Sequence, residues 1–161
     1  MVGELTSGTR KCSFLIWLLI SPALYAAEGD VMVALGRHFV IAAPVTASGR
    51  LIPVENGLLF KAESTWWGLT WGPFEKEPGD QRTAMDIMEW GLKQIQKNGG
   101  KGYQKIKKAS LQILVSPVSD GWSAAFSVPE YPDRVYNLAT DDRAELMRML
   151  DTLKSWPDQS E

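Results

Sequence analysis

The sequence predicts an α+β domain: a curved antiparallel sheet of about seven strands packed by a middle helix and a C-terminal helix, in the order β-β-β-β-α-β-β-β-α. Three stretches carry that expectation. From Ala109 to Val128, apolar residues alternate with small polar ones on either side of Pro117-Val118-Ser119-Asp120-Gly121, the period of a hairpin with one dry face and one wet face. Between Asp80 and Lys97, Ala84, Met88, Gly91 and Ile95 recur at helical spacing, with Met85 and Leu92 adjoining. Near the end, Leu146, Met149, Leu150 and Leu153 line one side of a second helix.

Length and composition bound the rest. The 161 residues, 45% hydrophobic and 22% charged, leave room for one domain with a real core and not for two sizeable ones. A net charge of -2 provides no basic field for nucleic acid. Residues 1–27 have the order of a secretory signal peptide. Arg10 and Lys11 precede an apolar run from Cys12 to Ala27, and small residues at Ala26 and Ala27 then meet Glu28-Gly29-Asp30. The run is shorter than the ~20 apolar residues of a spanning helix, which favours cleavage over the alternative, an uncleaved membrane anchor. Cleavage after Ala26 or Ala27 leaves one domain over 28–161 and removes Cys12, the only cysteine. Without Glu4, Arg10 and Lys11 the net charge moves from -2 to -3. An exported chain with neither a disulfide framework nor a thiolate metal site points to a bacterial periplasm. Its mature form is expected to be soluble or peripherally membrane-associated.

Taken in order, Val31 to Pro44 is apolar but interrupted by Gly36-Arg37-His38, so it reads as a long or bent strand broken by a turn or bulge. Pro44 to Arg50 is a loop. Leu51 to Val54 and Leu58 to Glu63 flank Asn56-Gly57, a hairpin signal, and Pro53 pushes the first strand towards an edge. Thr65 to Trp71 is a further strand, with Trp67, Leu69 and Trp71 on one face and Trp66, Gly68 and Thr70 on the other. Trp67 and Trp71 suit the core, although a ligand platform is the other use of such a row. Trp66, beside a glycine without a shielding side chain, is a candidate recognition residue. Asp80 is the expected N-cap of the middle helix and Gly99-Gly100 its stop. Gly91, on the apolar stripe, would let that helix come close to a bulky strand residue, at about 1 kcal/mol in helix propensity. Arg134 to Leu138 is a short strand, and Thr140 caps the last helix, with Asp141 and Asp142 in its first turn. Trp156 and Pro157 close it.

The charges from Lys93 to Lys108 are all lysines. They suit either an anion-binding patch or a solvated helix end running into a loop. With Trp66, the residues Lys101, Lys105, Lys107 and Lys108 are the candidate binding residues. Catalytic motifs are missing from the sequence. There is no His-Glu-x-x-His pair and no Gly-x-Ser-x-Gly elbow. Gly99-Gly100-Lys101-Gly102 follows a helix instead of opening one and lacks the ending of a phosphate loop. His38, the single histidine, reads as a structural donor. Glu75 and Glu77 flank a lysine in a loop, and Asp141-Asp142 belong to a helix start, so neither pair signals an acid and a base. No catalytic residue, cofactor or metal is implied.

One family pattern fits the order of elements. Phe39-Val40-Ile41-Ala42-Ala43-Pro44 opens the domain, and Val135-Tyr136-Asn137-Leu138 leads into a helix ending Met149-Leu150-Asp151-Thr152-Leu153-Lys154-Ser155-Trp156. In this the chain resembles the Mog1/PsbP/DcrB-like family. The resemblance implies a non-catalytic α+β sandwich, often exported, that works by binding, and it carries over no site residues. The expected function is therefore an exported, non-catalytic periplasmic binding or adaptor protein, with a protein partner in the envelope or an anionic envelope ligand. The alternative is an immunity or inhibitor protein that neutralises a secreted toxin or a cell-wall hydrolase; a third class is a wall- or lipid-modifying enzyme using carboxylates that no motif marks.

Overall fold

Among the described residues, pairing sorts ten strands, most of them built on alternating apolar residues, into two antiparallel sheets. In the computed structural model, which describes residues 29–155, β1 (Gly29–Leu35) and β2 (Phe39–Val45) form a hairpin, and β10 (Lys154–Ser155) pairs with the free side of β2. The other strands make a seven-stranded sheet. They are β3 (Arg50–Val54), β4 (Gly57–Lys61), β5 (Trp66–Pro73), β6 (Gln104–Lys108), β7 (Leu111–Val118), β8 (Gly121–Phe126) and β9 (Arg134–Thr140). Their order across the sheet is β3-β4-β5-β9-β8-β7-β6. The helices are α1 (Ala84–Lys97) and α2 (Arg143–Asp151). The expected signal peptide at 1–27 and the closure by Trp156 and Pro157 lie outside the described residues, among which no helix is long and apolar enough to cross a membrane.

The α+β class with antiparallel sheets and two helices is thus observed, with three changes of plan, one of them the short β10 after α2. Val31–Pro44 is a hairpin of its own sheet, not one bent strand, because Gly36-Arg37-His38 turns the chain right back. The lysine segment supplies an additional edge strand, β6. The order is therefore β-β-β-β-β-α-β-β-β-β-α-β.

The two faces of the large sheet are covered to different extents. One face carries Phe60, Trp67, Leu69, Tyr136, Leu138, Ala124, Phe126, Ile113 and Val115. It forms a single core with Val33, Leu35, Phe39 and Ile41 of the small sheet and Leu146, Met149 and Leu150 of α2. Burying each such side chain is worth about 1.5–3 kcal/mol. Trp67, as expected, is core, and its Nε1 donates to the Pro44 carbonyl at 2.6 Å, tying the two sheets together. Trp71 is half-buried on the same face, tilted against Tyr136. Thr152, just after α2, accepts from the Ala42 amide at 2.8 Å and donates to the Ala42 carbonyl. That contact continues β10 along the edge of β2.

The opposite face is covered by α1, which lies against β9. Thr83, not Asp80, caps α1, because Thr83 and Asp86 complete a capping box; Asp80 instead accepts the Arg82 guanidinium. Gly99, at φ 83°, ends the helix as expected, with Gly100 N–H bonding back to the Ile95 carbonyl at 2.9 Å. Asp142, not Thr140, caps α2, since Thr140 remains the last residue of β9. Gly91 is not at a close approach: a Cβ there would meet nothing within 4 Å. A glycine that does permit a close approach is Gly57. It opens β4, and a Cβ on it would stand 2.3 Å from the Leu69 carbonyl oxygen. The chain turns at Glu55-Asn56 instead, with neither residue left-handed.

Candidate functional site

Glu89 of α1 decides what the lysine segment does. Its carboxylate accepts from Lys105 Nζ at 2.7 Å and Tyr103 Oη at 3.1 Å and pairs with Lys93 Nζ at 3.0 Å. These bonds, the Lys105 contact foremost, hold the Glu89 carboxyl down at about 2, and the same carboxylate pushes Lys93 up. Lys105 is therefore a clamp between α1 and β6. Lys108, on the other face of β6, is paired with Asp151 at the end of α2. Lys101 and Lys107 are exposed, the first in the loop before β6 and the second on the strand. Lysines along an exposed edge strand also discourage pairing with another chain. The candidate lysines thus divide into two structural clamps and two solvated cations.

Trp66 stands apart from them. Four strand steps separate β5 from β6, roughly 19 Å at the usual spacing. The two parts of the predicted site are not brought together. Instead, strand register gives Trp66 other neighbours. Arg50 pairs with Lys61 and Lys61 with Trp66, so all three stand in one row on one face. The next row on that face is Ile52, Leu59 and Gly68, and the one after is Val54, Gly57 and Thr70. This is the face that α1 covers over β9 and pins at β6 and β7; over β3–β5 no helix among the described residues lies on it. Arg50, Ile52, Val54, Lys61 and Thr70 are exposed, and Leu59 and Trp66 are half-buried. Arg50 and Lys61 are the only charged side chains on β3, β4 and β5; Lys61 stands beside the tryptophan and Arg50 one strand beyond it in the same row. The surface is an apolar platform about 10 Å across three strands, with one row that runs from the indole of Trp66 to Lys61 and on to Arg50. Such a surface suits a ligand that offers both carboxylate or phosphate groups and apolar or ring surface.

Arg50 and Lys61 were legible only through the register, since nothing in the linear sequence connects either of them to Trp66. Pro53 ensures that β3 is an edge, because it cannot donate to a ladder on both sides.

A cleft of about 580 Å³ opens at the same end of β5 as Trp66, lined in part by Thr46, Thr65, Trp67, Asp141, Glu145 and Arg148. Its acids already have partners. Asp142 accepts from the Ala144 amide at 2.9 Å, Asp141 accepts from Thr140 Oγ1 at 3.1 Å, and Glu145 holds Arg148 through two 3.0 Å bonds. The Glu145 carboxylate in turn raises the Arg148 guanidinium. His38, the expected structural donor, sits at the β1–β2 turn, 3.7 Å from Glu130 Oε1. Among the described residues no group of three or more His, Cys, Asp or Glu side chains is placed to hold a metal ion. No known protein family, no curated protein and no solved structure matches the chain.

Proposed function

We propose that this is an exported, non-catalytic binding or adaptor protein of the bacterial periplasm, whose bare β3–β5 face grips an acidic segment of a protein partner in the envelope. One observation carries the reading: the only two charges on three strands, Lys61 and Arg50, share one row with the half-buried Trp66 on an otherwise apolar, exposed sheet face. The cations provide orientation and attraction, and the indole and the Ile52–Leu59 strip provide the buried apolar area. The likeness to the Mog1/PsbP/DcrB-like family belongs to the same proposal, as does export through a cleaved leader. Lys101 and Lys107 form a second, separate positive region that widens the attraction for an anionic partner.

The test is affinity capture of the tagged protein from envelope extract, followed by mass spectrometry. Parent, Trp66→Ala, Arg50→Gln with Lys61→Gln, and Lys105→Gln with Lys108→Gln are compared. A recurrent acidic partner that the first two variants lose, and that raised salt weakens, is the expected result. The Lys105 and Lys108 variant should lower stability and leave capture intact. A partner retained by both the Trp66 and the Arg50–Lys61 variants overturns the site. Recovery of a toxin or wall hydrolase as that partner moves the reading to the inhibitor class on the same surface.

A further inference from the structure

The large sheet ends in two edge strands, β3 and β6, and they are guarded very differently. A two-residue turn, Ala109-Ser110, joins β6 to β7, so the closing pair Lys108–Leu111 is hydrogen-bonded and the backbone groups of Lys105 and Lys107 point to the open edge. Both residues carry a cation, and charged lysines protect such an edge against a further strand. On β3 the only charge is Arg50, while Leu51, Ile52 and Val54 are 42%, 40% and 43% exposed. Among the described residues β4 is its one strand neighbour. Glu55-Asn56 closes that hairpin, so Val54, Ile52 and Arg50 bond to β4, and Pro53, which has no N–H, falls where the ladder needs none. The Leu51 N–H and C=O and the Pro53 C=O therefore face outward, one donor and two acceptors at strand spacing.

We propose that the acidic segment of the partner binds as an added antiparallel strand along the open edge of β3, an inference that rests on the β3–β5 face being the binding surface. The outward backbone groups fix the conformation, because an extended chain is what offers matching donors and acceptors at that spacing. The side chains fix the composition. Arg50, Ile52 and Val54 stand on the face that bears Trp66, and Leu51 and Pro53 on the other. In an antiparallel pair each of them has one residue directly opposite. A carboxylate opposite Arg50 heads the row that continues to Lys61 and Trp66, and apolar residues opposite Ile52 and Val54 widen the platform by one strand, about 5 Å. The partner segment thus alternates, with two apolar residues and then an acid on one side. β3 has no carboxylate of its own to set against Arg50, so a second copy paired edge to edge does not satisfy it.

The probe is the peptide acetyl-Thr-Val-Thr-Val-Thr-Glu-Thr-amide, whose glutamate falls opposite Arg50 and whose valines fall opposite Ile52 and Val54. It is titrated into the purified protein and followed by amide NMR. The Leu51 amide, open to exchange in the free protein, should become protected. Methylating the amide nitrogen of the threonine opposite Leu51 removes the bond to the Leu51 carbonyl and should weaken binding at least about tenfold. Leu51→Pro, which removes the outward donor, should do the same to the parent peptide; if that variant misfolds, the methylated peptide still decides. Arg50→Gln with Lys61→Gln should weaken binding as well. A methylated peptide that binds as tightly as the parent, with the Arg50 and Lys61 effect intact, overturns the added strand and leaves the surface standing. A peptide that protects Leu51 but is indifferent to Arg50→Gln with Lys61→Gln overturns the acidic partner and the reading of the surface with it. No binding up to about 1 mM overturns the added strand outright.

Discussion

Replacing Gly57 by alanine puts the packing of β4 on β5 to a direct test. A Cβ on Gly57 would lie 2.3 Å from the Leu69 carbonyl oxygen and 2.9 Å from Thr70 Cα. Both atoms are backbone of β5, so no rotamer change relieves the clash and the strands have to separate. Overpacking of this kind costs about 1–3 kcal/mol. Separation also strains the bond from the Trp71 amide to the Asn56 carbonyl, 2.9 Å long, for about 1 kcal/mol more. Against this stands a gain of about 0.5–1 kcal/mol from removing a glycine inside a strand. The net expectation is a loss of about 1–3.5 kcal/mol, read as a urea midpoint lower by about 1 M. Gly91→Ala is the matched control. The same substitution meets open space there and should raise stability by about 1 kcal/mol. A Gly57→Ala variant as stable as the parent, or a Gly91→Ala variant less stable, would refute the reasoning.

Two further expectations concern the β6–β7 region. Ala109 and Ser110 form its two-residue turn at φ 46° and 68°, a left-handed pair built without glycine or asparagine. Ala109→Asn with Ser110→Gly should therefore raise the melting temperature, by the equivalent of about 1–2 kcal/mol, and an unchanged or lower value would count against the strained turn. The Glu89 carboxyl is lowered in the folded state from 4.5 to about 2, so its contribution is fully present above pH 4.5 and is lost as pH falls towards 2. Urea midpoints should fall across that window, and Glu89→Gln should flatten the slope; an equal slope in both proteins would remove Glu89 as the clamp between α1 and β6.

The central hairpin, both helices and the edge position of β3 were legible because each rests on a local pattern: period two from Leu111 to Phe126, period 3.6 after Thr83, and Pro53 in a strand. The failures share one physical cause. Asn56-Gly57 marked a hairpin correctly, but the glycine is needed by a strand beyond that hairpin. Ala109 matched the alternation of β7 and yet turns, because Gln104–Lys108 pairs back on β7 and the chain has two residues in which to reverse. A lysine-rich segment carries no apolar period by which to announce a strand, so β6 becomes visible only from its neighbour. Asp80 resembled a cap, and the capping box between Thr83 and Asp86 prevailed because it satisfies two amides reciprocally.

Trp66 was singled out from its alternation with Trp67 and from the glycine two residues on, and it does lie on the face away from the core. What surrounds it was not legible. Arg50 is sixteen positions away and Lys61 five, and only strand register sets them in its row. By itself the sequence determined the class of the fold, the two helices and which side of each strand is apolar, since these depend on spacings within a few residues. Tertiary structure alone decided that β1 and β2 form a separate sheet, that Lys105 and Lys108 are spent on Glu89 and Asp151, and that one half of a sheet face is left uncovered. Each of those outcomes depends on which strand lies beside which, a contact between distant residues that no local period encodes.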